Sequence, residues 1–141
     1  IDVTEEKFTK VRQGEKVVAY IIEKLHLIGG PVSLIYGNLL HEYRNGTSKC
    51  ILYDLHDKDL DIALFEKHFH AVVAMEKDIE RIFGWKAALK NEERLIMVLL
   101  PPNQAKMQKG FQIDVYGFKI NYPTTNLAYF PWDNVTFAMD A

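Results

Sequence analysis

The sequence predicts an α/β (α+β) domain: one mixed β-sheet with helices packed on it. Three observations predict it. Helical and strand periodicities alternate in the first half of the chain. A run of strand signals joined by short turns fills the second half. The apolar fraction is 48% and the charged fraction 26%, as in a globular domain, and 141 residues are enough for one core without cross-links.

The elements follow in order. Thr4 to Leu25 reads as a helix, with Phe8, Val11, Val18, Ile21, Ile22 and Leu25 mostly on one stripe and Thr4-Glu5-Glu6 at its start. Gly14 weakens its middle, and Gly29-Gly30-Pro31 ends it. Val32 to Tyr36 reads as a buried strand and Gly37 to Tyr43 as a short helix closed by Asn45-Gly46. Leu60 to Phe65 is the next strand. One helix is expected over Glu66 to Phe83, its apolar face built on Phe69, Val72, Val73, Met75, Ile79, Ile82 and Phe83. Trp85 to Leu89 and Arg94 to Leu100 form a hairpin across Asn91-Glu92-Glu93, and Pro101-Pro102 stops the second strand. After a polar loop from Asn103 to Gly110, Phe111 to Ile120 is the last long strand, with weaker signals at Leu127 to Phe130 and Val135 to Ala138. This order places the antiparallel part of the sheet toward the C-terminus. All of residues 1–141 are read as a single domain.

Composition narrows the function classes. A net charge of −2 argues against a general nucleic-acid or anionic-membrane binder. The apolar runs, such as Leu95 to Leu100, are too short for a transmembrane segment. With Cys50 as the one cysteine, neither an internal disulfide nor a Cys-rich zinc site is expected. Asn45-Gly46-Thr47 and Asn134-Val135-Thr136 are sequons, so Asn45 and Asn134 are candidate glycan acceptors of a secretory-pathway protein.

Chemistry concentrates in acids. Asp54-Leu55-His56-Asp57-Lys58-Asp59-Leu60-Asp61 packs four carboxylates into eight positions. Asp59 and Asp61 stand two residues apart at the mouth of a strand, so they share a face, roughly 7 Å apart at Cα, while Leu60 and Ile62 face the core. Like charges this close repel unless a cation relieves them, and carboxylate-only ligation suits Mg²⁺ or Mn²⁺. The plainer reading is a solvated acidic loop entering a strand. Asp disfavours strands, however, and here it alternates with Leu and Ile inside one. Asp114 is a second mid-strand acid, on the face of Gln112 and Tyr116 and opposite Phe111, Ile113 and Val115. If its strand pairs beside Leu60 to Phe65, three carboxylates converge in a set suited to metal-assisted phosphoryl transfer; otherwise it is an edge-strand acid facing water. Gly37-Asn38 lies where a strand turns into a helix, which permits close backbone approach to an anion or simply forms a tight turn. Arg44 is placed to meet a phosphate or to be solvated. His68 and His70 are two apart on a helix, face different sides, and make a poor zinc pair. Tyr122, Tyr129, Phe130 and Trp132 read as core or a hairpin cluster.

These motifs, taken together, resemble the LicD/fukutin family. Tyr36-Gly37-Asn38-Leu39-Leu40-His41-Glu42-Tyr43-Arg44 is similar to that family's glycine-to-arginine segment, and Asp57-Lys58-Asp59-Leu60-Asp61-Ile62-Ala63-Leu64-Phe65 to its acidic element running into a strand. Gln112-Ile113-Asp114-Val115-Tyr116 resembles the later strand with the third acid, and Tyr129-Phe130-Pro131-Trp132-Asp133-Asn134-Val135-Thr136-Phe137 the segment after it. The resemblance spans Val32 to Phe137 and is closest to the fukutin-like branch. It implies a nucleotidyltransferase-like fold and transfer of a phospho-alcohol from a CDP-activated donor to a glycan hydroxyl. It further implies Asp59, Asp61 and Asp114 as catalytic metal ligands and Gly37, Asn38 and Arg44 at the donor phosphates. With the sequons, it favours a Golgi-lumen or extracellular setting. Family members continue beyond their last motif, so a C-terminal truncation is expected here. The alternative, motivated by Asn38 after Gly37 and a long loop from Asn45 to His56, is a non-catalytic adaptor on the same fold that binds a protein partner.

Overall fold

A computed structural model describes residues 3–28, 33–34, 59–107, 110–120 and 127–138. The chain enters as a helix, α1 (Val3–His26), followed by a short strand, β1 (Ser33–Leu34). Next come β2 (Asp59–Phe65), two helices α2 (Glu66–Ala74) and α3 (Glu76–Phe83), and the hairpin β3 (Lys86–Asn91) and β4 (Ile96–Leu100). The long strand β5 (Gln112–Ile120) and the hairpin β6 (Leu127–Phe130) and β7 (Val135–Ala138) complete it. The sheet runs β1-β2-β5-β4-β3, and β6 pairs with both β5 and β7. It is mixed: β2 and β5 are parallel, and the other pairs are antiparallel. The protein is therefore α+β; its C-terminal strands pair antiparallel as expected, and so does β1 with β2.

Strand alternation divides the sheet into two faces. Leu60, Ile62 and Leu64 of β2 and Ile113 and Val115 of β5 have no measurable exposure. They join Met97 and Leu99 of β4 in one cluster with Val18, Ile21 and Leu25 of α1, Phe69 and Val72 of α2, and Ile79 of α3. This is the main core: an amphipathic face from each helix laid on one face of the sheet.

Glycines set two of the closest approaches. A Cβ at Gly14 would lie 2.6 Å from the Phe111 ring. The glycine that weakens α1 thus lets the ring of Phe111 press on the helix, where it also meets Trp85 edge-on at 5.9 Å. At Gly117 a Cβ would lie 2.8 Å from Leu95 Cβ and 3.0 Å from Phe69 Cβ, so β5, α2 and the β3–β4 turn meet there.

Two expectations need correction. The helix expected over Glu66 to Phe83 is two helices that break at Met75. The Met75 N–H bonds Val72 O at 2.9 Å, an i−3 contact that tightens the last turn of α2 before α3 starts. Apolar periodicity does not register such a kink, because Phe69, Val72 and Ile79 still reach the same core. The β3–β4 turn also lies two residues later than expected, with β3 running to Asn91 rather than Leu89 and β4 starting at Ile96 rather than Arg94. Leu95 takes a left-handed backbone, φ 54°, and is fully buried. Its carbonyl accepts the Gly117 N–H at 2.8 Å, and Asn91 Oδ1 accepts the Arg94 N–H at 3.0 Å. Side-chain burial and these two bonds hold a conformation that leucine disfavours.

Candidate metal centre

The parallel pair β2–β5 brings the acids together. Asp61 is the register partner of Asp114, and Asp59 that of Gln112. Register partners on neighbouring parallel strands share a face, with the strands about 4.8 Å apart. Asp61 and Asp114 are accordingly neighbours on the face away from the helices, at 6% and 5% exposure. The expected pairing of the two acid-bearing strands is what the structure contains, and neither acid faces water. Asp59 occupies the first position of β2, opposite Gln112; its side chain lies outside the described residues. Gly37, Asn38, Arg44 and Asn45 lie outside them as well.

Gln112 belongs to the same patch. It is 3% exposed, and its Nε2 donates to Asp114 Oδ1 at 2.7 Å. The sequence places Gln112 on the face of Asp114 but carries no signal that the two side chains bond; that depends on rotamers fixed by packing.

The described residues that flank the acids are largely apolar. Val98 of β4 is the cross-strand partner of Asp114, and with Ile96 and Leu100 it forms a small cluster against Leu89, Tyr116 and Trp132. On the other flank Ala63, Ala128 and Phe130 pack with Tyr116 and Phe118. Charges held in such a setting interact more strongly than they would in water. Carboxylate oxygens are hard donors, so the donor set fits Mg²⁺ or Mn²⁺. Among the described side chains no group of three or more His, Cys, Asp or Glu gathers at one point. Asp61 and Asp114 are the two of the three expected ligands whose side chains are described.

The remaining candidates are the two histidines of α2 and the aromatics of the C-terminal hairpin. His68 is buried and His70 exposed, bonded through Nδ1 to Glu92 Oε1 at 3.1 Å, so the two do face different sides. Among the described residues His68 Nδ1 has no hydrogen-bond partner. Trp132 carries the Arg94 guanidinium 4.4 Å from its ring centre, and its carbonyl accepts from the same group at 2.6 Å. Phe130 packs on Phe118 at 5.5 Å, whereas Tyr129 is partly exposed and its hydroxyl donates to Asn134 Oδ1 at 3.0 Å. Tyr122 lies outside the described residues. A groove of about 500 Å³ runs between β3 and the Pro101 to Ala105 loop, and none of the acids lines it. Among the described residues no helix is long and apolar enough to cross a membrane.

No protein-family model matches the chain, and no curated protein matches it either.

Proposed function

We propose that the chain is the core of a metal-dependent transferase that moves a phospho-alcohol group from a CDP-activated donor to a glycan hydroxyl, on a nucleotidyltransferase-like sheet. The observation that supports this most directly is the in-register pairing of Asp61 with Asp114 on adjacent parallel strands, both buried. In this reading Asp59, Asp61 and Asp114 hold Mg²⁺ or Mn²⁺, which when bound offsets the negative charge of the donor phosphates. Gly37 and Asn38 let the backbone approach those phosphates, and Arg44 pairs with one of them. Asp114 accepts the proton of the attacking hydroxyl. The sequons favour the Golgi lumen or the outside of the cell as the setting of this chemistry.

Thermal unfolding with Mn²⁺, with CDP and with both tests the proposal, on wild type and on a double Asp59→Asn, Asp61→Asn variant. A ligand at about a hundred times its dissociation constant adds roughly 2.7 kcal/mol of stability, a rise of several degrees in midpoint. The expected result is a rise in wild type that needs both ligands and disappears in the variant. A midpoint unmoved at saturating concentrations in every condition sinks the transferase reading and leaves the adaptor as the function to pursue.

A further inference from the structure

We infer that Gln112 is a positioning residue of the metal centre: its amide fixes the carboxylate plane of Asp114 without discharging it. This inference rests on the metal reading proposed above.

The argument begins with burial. An amide that is 3% exposed has left water, and its polar atoms must be satisfied within the protein. Gln112 opens β5 two residues before Asp114 on the same face, and its Nε2 reaches Asp114 Oδ1 at 2.7 Å. That distance suits a donor bonding an ionised acceptor. The amide orientation follows from chemistry, because the flipped form would set carbonyl oxygen against carboxylate oxygen. A carboxylate held at one oxygen no longer turns freely about its Cβ–Cγ bond, so the direction of its other oxygen is also set. Metal ligands depend on such outer partners for orientation, and losing one typically weakens binding about 10- to 100-fold.

The kind of partner matters as much as its place. A lysine or arginine would hold Asp114 equally well but would cancel the charge a cation needs. An amide orients the carboxylate and leaves its charge intact. Register adds to this: Gln112 lies opposite Asp59 as Asp114 lies opposite Asp61, so the four residues occupy two consecutive same-face rungs of the β2–β5 ladder.

The test is Mn²⁺ titration of the full chain, with free ion followed by electron paramagnetic resonance, in wild type, Gln112→Met and Asp61→Asn. Gln112→Met keeps the length of the side chain and removes the donor. The expected result is a dissociation constant raised about 10-fold or more in Gln112→Met, with binding abolished in Asp61→Asn. A Gln112→Met affinity indistinguishable from wild type overturns the positioning role and leaves the metal reading standing. Wild-type protein that binds no Mn²⁺ overturns both. Gln112→Asn gives a second readout should Gln112→Met fail to fold. It keeps the amide but shortens its reach to Asp114, so the Mn²⁺-induced rise in midpoint is expected to be smaller than in wild type. A Mn²⁺-induced rise equal to that of wild type would show a bond that serves packing alone, and would also overturn the inference.

Discussion

A buried carboxylate raises the free energy of the fold unless its charge or its hydrogen bonds are met, and Asp61 and Asp114 stand side by side with little exposure. Gln112 meets one oxygen of Asp114 with a neutral donor. That combination is unlike ordinary sheet packing, in which such positions hold Val or Ile, as at Val98 next door. At the same scale Asn134 repays a closer look. It sits in the β6–β7 turn with φ 55°, a backbone that asparagine tolerates better than most residues, and its side chain is exposed. An accessible sequon on a turn is a workable acceptor. Expression in a secretory host is expected to give a glycan removable by endoglycosidase, and Thr136→Ala, which leaves the turn residue in place, is expected to lower the count of attached glycans by one in a mass measurement. An unchanged glycan mass in Thr136→Ala would show that Asn134 is not used.

At the scale of elements, the contact of α2 with β5 depends on what Gly117 lacks. Phe69 of α2 and Leu95 of the β3–β4 turn both approach the space a side chain would fill, and the Gly117 N–H also holds the Leu95 carbonyl. Leu95 and Phe69 are fully buried, so neither can swing out to make room. Gly117→Ala is expected to destabilise the protein by about 1–3 kcal/mol through overpacking, seen as a lower urea midpoint with an unchanged slope. Wild-type stability in this variant would mean that the turn relaxes freely and that the left-handed Leu95 is not held by the contact. Gly14 presents a related case in α1, where the helical penalty of glycine is accepted for close aromatic packing by Phe111.

Across the whole molecule, the sheet is the common platform. Its helix side carries a continuous core built from β2, β4, β5 and the three described helices, while its other side carries the acids between two smaller apolar clusters. The central strands β2, β4 and β5 contribute side chains with almost no exposure, whereas α1 is followed by the exposed Leu27 and Ile28. Hydrogen exchange is therefore expected to be slowest in β2, β4 and β5, approaching the global unfolding limit, and faster at the end of α1. Rapid exchange in β2 would contradict a rigid platform beneath the acids.

Much of this was legible in the sequence for a physical reason: period-2 and period-3.6 apolar patterns report which side chains face a core, and they do so locally. Leu60, Ile62 and Leu64 announced a strand with one buried face, and the acids between them announced a second, different face. Leu127 to Phe130 and Val135 to Ala138 gave weaker strand signals, and their pairing as a hairpin came from the structure. What lay beyond local pattern was decided by tertiary structure. The i−3 bond at Met75 splits one apolar helical stripe into two helices without changing which residues are buried. Burial of Leu95 moves the start of β4. Most consequentially, the parallel pairing of β2 with β5 joins residues some fifty positions apart, and only that pairing makes neighbours of Asp61 and Asp114 and gives Gln112 its place in the patch. The sequence determined which residues are acids on a strand's outer face; the register of two distant strands determined that they meet.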